Sequence, residues 1–82
     1  MDDVTIGTLP KNTRESVAVM LRTFKGHQFC DVRIMASKPE GEAVPTAKGI
    51  AIKPDALPEL IRLLQDAHAA AVQAGWCAGD GP

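Results

Sequence analysis

Seven side chains in this sequence could grip a polyanion: Arg22, Phe24, Lys25, His27, Arg33, Lys38 and Lys48. Five of them fall in the run RTFKGHQFCDVR, residues 22–33. Lys and Arg neutralise phosphates, and unpaired bases stack on aromatic rings for about 1–3 kcal/mol each. A basic run with a ring inside it therefore suits single-stranded nucleic acid better than acid–base chemistry. No catalytic set competes with that reading. His27 and His68 have no nucleophile at a meaningful spacing, and Asp31, Glu40 and Glu42 read as strand and turn surface. Cys30 and Cys77 lack metal-ligand spacing, and no phosphate-cradling glycine loop leads into a helix. The expectation is a non-enzyme with no metal and no cofactor.

A net charge of −1 offers a polyanion nothing as a total, but the charge is segregated. Residues 11–53 carry +4, and the two ends together carry −5. Segregation of this kind makes a basic surface on a neutral protein.

Those cations need elements to hold them. SVAVMLRTF (16–24) and QFCDVRIMA (28–36) alternate with period two around a short KGH connection, which predicts a β-hairpin. Val17, Val19, Leu21, Cys30, Val32 and Ile34 share one face. Arg22, Phe24, Phe29, Asp31 and Arg33 share the other, and Asp31 and Arg33 mark it as solvated. Pro39-Glu40-Gly41 is a turn. A short strand through Ala43 and Val44 precedes a loop at Pro45-Thr46, and KGIAIK (48–53) is a further strand with Ile50 and Ile52 inward. Residues 1–14 show no usable period and read as a flexible arm, residues 15–75 as one domain, and residues 76–82 as a flexible tail. From Leu57 the period becomes helical: Leu57, Leu60, Ile61, Leu64, Ala67, His68 and Ala71 line one stripe, with Lys53 or Asp55 as N-cap and Gly75 as the stop. The fold class is α+β, an antiparallel sheet followed by an amphipathic helix. No apolar run reaches the ~20 residues of a membrane helix, and a cytoplasmic protein is expected, nucleoid-associated if bacterial.

RTFKG (22–26), DVRI (31–34), PEGE (39–42) and P-x-x-KGI-x-I (45–52), followed by KP and a leucine-rich helix, resemble the positive cofactor four family of single-stranded-DNA-binding transcriptional coactivators. The resemblance spans about residues 15–70. It implies a strongly curved four-stranded antiparallel sheet with the helix packed on it, assembled as a homodimer that binds single strands or melted duplex with little sequence preference. By position, Phe24 would stack on bases, and Arg22, Lys25, Arg33 and Lys48 would face phosphates. Gly26 and Gly49 would supply tight backbone geometry, and Ile50, Ile52, Leu57, Leu60, Ile61 and Leu64 the core and dimer surface. The family's best-known member has a stacking Trp where this chain has Ala36. It has basic residues where this chain has His27, Val44 and Ala47. The partners implied are single-stranded DNA or RNA, a second copy of the chain and the transcription machinery. The competing reading is a dimeric protein-interaction module that binds nucleic acid weakly or not at all.

Overall fold

A computed structural model describes residues 3–78. Four strands run β1 (Val4–Pro10), β2 (Glu15–Phe24), β3 (His27–Ser37) and β4 (Ala43–Ile52), and a 3₁₀ turn η1 (Pro54–Ala56) leads into helix α1 (Leu57–Gln73). The sheet order is β1-β2-β3-β4, antiparallel throughout, so β1 and β4 are the edges.

Four strands were expected, yet two of them differ in identity. The expected arm supplies β1, which pairs Val4 with Leu21, Gly7 with Val19 and Leu9 with Val17. The register shifts between Thr5 and Gly7, and Ile6 is the extra residue. A bulge of this kind breaks the period-two pattern, so Val4 and Leu9 share a face although they are five positions apart. The expected strands at 43–44 and 48–53 are one strand, β4. Pro45 pairs with Met35 and Gly49 with Arg33, leaving residues 46–48 as an irregularity opposite Ile34. Pro45 is tolerated because β4 is an edge.

The hairpin joining β2 to β3 turns on Lys25 and Gly26 alone, both at positive φ (52° and 81°). That is the mirror-image turn matched to strand twist, and it explains the glycine. Lys25 adopts the same region against the Cβ penalty. Register then sorts the side chains. Val17, Val19 and Leu21 meet Ile34, Val32 and Cys30, and of these Val32 and Cys30 in turn meet Ile50 and Ile52 on the apolar face.

Pro54 opens η1 and Pro58 sits in the first turn of α1, positions where proline is tolerated. The helix ends at Gly75 with φ 79°. Neither Lys53 nor Asp55 caps it by a side-chain hydrogen bond; the residue at the N-cap is Ala56. The helix buries none of its residues. Ile61 and Leu64 are 52% and 59% exposed, Ile50 is 59% exposed and His68 is exposed, so within one chain the helix does not cover the sheet. Buried apolar residues are Ala18 and Cys30. Both cysteines are free thiols. Trp76 is 83% exposed, and the rest of the expected tail, 79–82, lies outside the described residues. Among the described residues no helix is long and apolar enough to cross a membrane.

Lys25→Asn should raise stability by up to about 1 kcal/mol, because Asn tolerates the left-handed region and favours this turn. Thermal unfolding at fixed protein concentration checks it; an unchanged or lowered midpoint contradicts the strain assigned to Lys25.

Candidate nucleic-acid interface

Cross-strand pairing gathers the candidates on one face. Phe24 faces His27 and Arg22 faces Phe29, while Met20 and Ala51 flank Asp31, and Ala18 and Gly49 flank Arg33. The Phe24 ring is 62% exposed at the hairpin end, and Lys25 Nζ sits over it, 5.4 Å from the ring centre. A ring left in water beside cations is available for stacking.

The face is solvated at Phe24 and Arg22, as expected, but Asp31, expected to mark it as solvated, is 0% exposed. Its Oδ1 accepts from Arg33 Nη2 (2.9 Å), and its Oδ2 accepts from Arg22 Nη1 (3.0 Å) and Arg33 Nε (3.4 Å). Burial pushes its carboxyl up, but the hydrogen bonds and charges of Arg33 and Arg22 outweigh burial and leave it below the ordinary carboxylate value. Arg33 also donates from Nη1 to the Thr46 carbonyl (3.2 Å), which ties it to the β4 irregularity. The guanidinium lies across Gly49, where a Cβ would stand 2.9 Å from its central carbon and 2.7 Å from the Val32 carbonyl. Gly49 is thus required by close approach.

Arg22 is held from a second side. Asp3 Oδ2 accepts from its Nε at 3.3 Å, and Asp3 Oδ1 accepts from the Thr23 backbone N–H at 3.3 Å. Asp31, then Asp3, hold the Arg22 guanidinium protonated above its ordinary value. Asp3 occupies a two-donor anion site on the candidate surface. Lys48 is in the β4 irregularity near Arg33, its backbone N–H donating to Thr46 Oγ1 (3.1 Å). Lys38 is not gathered: it lies in the β3–β4 turn, at the opposite end of β3 from Phe24. Lys11 is not spare charge either. It pairs with Glu15 at 3.0 Å, and Asn12, then Lys11, lower the Glu15 carboxyl.

The model of the family described as Transcriptional Coactivator p15 (PC4) matches residues 11–63, more than half of the chain. This chain belongs to the PC4 family. Its fold is similar to a PC4 homolog from Burkholderia pseudomallei in an orthorhombic crystal form, with TM-score 0.75 and 30% identity over 80% of this chain and 89% of that one. The tetragonal form gives TM-score 0.72 and 30% identity over 80% and 97%. A bacteriophage T5 homolog of the eukaryotic coactivator PC4 shares the fold at TM-score 0.57 and 20% identity, over 92% and 83%. No match is found among curated proteins. The PC4 family is one of DNA-binding, coactivator-type, non-enzymatic domains.

In this PC4-family chain the two anions of the charged face differ in how far the sequence announces them. Asp31 and Arg33 are two residues apart, so they share a face, and their pairing was legible. Asp3 reaches Arg22 only because β1 forms, and no local pattern announces it.

A lowered Asp31 carboxyl stabilises the fold fully above the ordinary carboxylate range, about pH 4, and that contribution is lost as pH falls through the lowered value. Asp31→Asn should remove that part of the acid dependence. It should cost up to about 3 kcal/mol at neutral pH, the low end for a broken buried pair, since both guanidiniums keep solvent contact. Urea unfolding at a series of pH values measures both; a neutral-pH stability equal to wild type contradicts the assignment.

Proposed function

We propose that the chain is a homodimer that binds single-stranded DNA without sequence preference, in transcription regulation or in replication and repair. The observation that carries it is the division of one sheet into an apolar face and a face where Arg22, Phe24, His27 and Arg33 lie together by register. Stacking on Phe24 requires bases out of the duplex, so the ligand is an unpaired or melted strand. Phosphates run past Lys25, Arg22, Arg33 and Lys48, which is a sequence-independent contact. The phage T5 homolog is implicated in recombination-dependent DNA replication, and that keeps replication within the reading. Stacking and phosphate contacts do not distinguish RNA from DNA, so RNA should compete.

The homodimer follows from the unburied helix stripe. A helix of 17 residues without tertiary burial is marginal in water, and Ile61 and Leu64 on the helix and Ile50 on the sheet are each exposed apolar groups that a second copy would cover. Leu64→Asp should convert the dimer to a monomer by light scattering and reduce helical circular dichroism. A wild type that is monomeric at high micromolar concentration removes this part of the proposal.

A protein-interaction module is the second reading, favoured because Asp3 and Asp31 already engage Arg22 and Arg33. Titration of a fluorescent oligothymidylate separates the two. The single-strand reading expects micromolar or tighter binding that weakens steeply with salt. Phe24→Ala should cost about 1–3 kcal/mol of affinity, and Lys25→Ala should flatten the salt slope by about 0.7. Asp3→Asn frees Arg22 and should strengthen binding. Absence of binding at low salt, or indifference to both Phe24→Ala and Lys25→Ala, decides for the second reading.

A further inference from the structure

Phe29 is the second ring on the charged face. It stands opposite Arg22 and diagonal to Phe24, within reach of one strand of nucleic acid, and it is half-buried. Beside it the sheet is incomplete. β4 stops at Ile52, one step short of Phe29, and the chain turns off into η1. The first residues of β3 and η1 enclose an open cavity of about 650 Å³. That falls within the size range of small-ligand sites. Phe29, Ala51 and Pro54 give it apolar lining, and His27, Lys53 and Asp55 give it polar groups. Among the described residues Lys53 makes no ion pair and no side-chain hydrogen bond.

We propose that this cavity is a nucleotide subsite in which Phe29 stacks on one base of the bound strand and Lys53 takes the adjoining phosphate. The inference rests on the single-strand reading and extends it. Continuity supports the occupant: His27 lines the cavity and is the cross-strand partner of Phe24, so a strand leaving the Phe24 ring passes directly into it. Charge sets the orientation. Asp55 repels phosphate, so the backbone keeps to His27 and Lys53 at the rim, and the base turns inward onto Phe29. Such a pocket holds a flat ring with one negative charge at its mouth, which describes a nucleotide.

The test is oligothymidylate titration over a salt series with wild type, Phe24→Ala, Phe29→Leu, Phe29→Trp and Lys53→Gln. Phe29→Leu, which keeps apolar volume, should weaken binding about 5- to 150-fold, the worth of one stacked base. Phe29→Trp should bind as wild type does. In a Trp76→Phe background its emission should be quenched by the oligonucleotide, a response that a purely packed ring would not give. Lys53→Gln should flatten the salt slope by about 0.7, one phosphate on a single strand. If Phe24→Ala weakens binding while Phe29→Leu and Lys53→Gln match wild type, the subsite is wrong and the single-strand reading stands. If wild type binds no oligonucleotide at low salt, both fall. Should Phe29→Leu lose its fold by circular dichroism, Lys53→Gln on the exposed rim decides alone, and an unchanged slope overturns the subsite.

Discussion

A carboxylate with no solvent contact lies at the centre of the sheet face that carries the positive charge. Left alone, a buried carboxylate would be too costly to keep ionised. Asp31 is tolerated because Arg22 and Arg33 converge on it, and their convergence is the reason that the face has an order at all. Arg33 is fixed by four partners at once, counting the Gly49 backbone it lies across: both Asp31 oxygens, the Thr46 carbonyl and that strand. A flexible arginine has much rotamer entropy to lose on binding a ligand; one already held has lost it during folding. The cost is charge. Arg22, Arg33 and Asp31 together carry +1, and Asp3 removes more of it, so the face offers positioned donors where a fully basic groove would offer net potential.

This division assigns different work to the cations. Lys25 stands over an exposed ring at the hairpin tip, and Lys48 stands in the β4 irregularity; both are the mobile, strongly hydrated kind of charge that meets phosphates as a point. Among the described residues Lys25 is also the one non-glycine residue held at positive φ. Strain of that kind persists where the surroundings enforce it, and here the Lys25-Gly26 turn presents ammonium and ring together. The same turn that sets the register of the hairpin thus aims its most exposed chemistry.

Most of the central hairpin was legible because it obeys its period. Val17 to Leu21 and Cys30 to Ile34 alternate without interruption, and their register puts every predicted face partner in place. Legibility failed where a bulge broke the count. Ile6 shifts β1 by one residue, so VTIGTLP reads as irregular although Val4 and Leu9 return to the same face. Pro45 looked like a loop because the sequence does not say which strand will be an edge. The site followed the same rule. Arg22, Phe24 and His27 come together through one hairpin, whereas Asp3 on Arg22 depends on a strand that the pattern hid. Burial of Asp31 was beyond reach of any one-strand reading, since it takes side chains from β2 and β3 to enclose it.

Helix α1 shows what the single chain leaves unfinished. Its polar side is already satisfied: Arg62 bridges Glu59 at 2.6 Å and Asp66 at 3.0 Å, exposed pairs worth a few tenths of a kcal/mol each. Its other side, through Leu57, Leu60, Ile61 and Leu64, has no sheet beneath it, while the apolar face of the sheet has no helix above it. Fully burying one such side chain stabilises by about 1.5–3 kcal/mol, so covering the stripe outweighs any gain from its ion pairs several times over. In a domain this small, whose own buried apolar residues are as small as Ala18 and Cys30, the proposed second copy is the missing half of the core. The apolar face and the charged face are then two consequences of one register: the proposed pairing on one side would leave Arg22 and Arg33, held by Asp31, on the other.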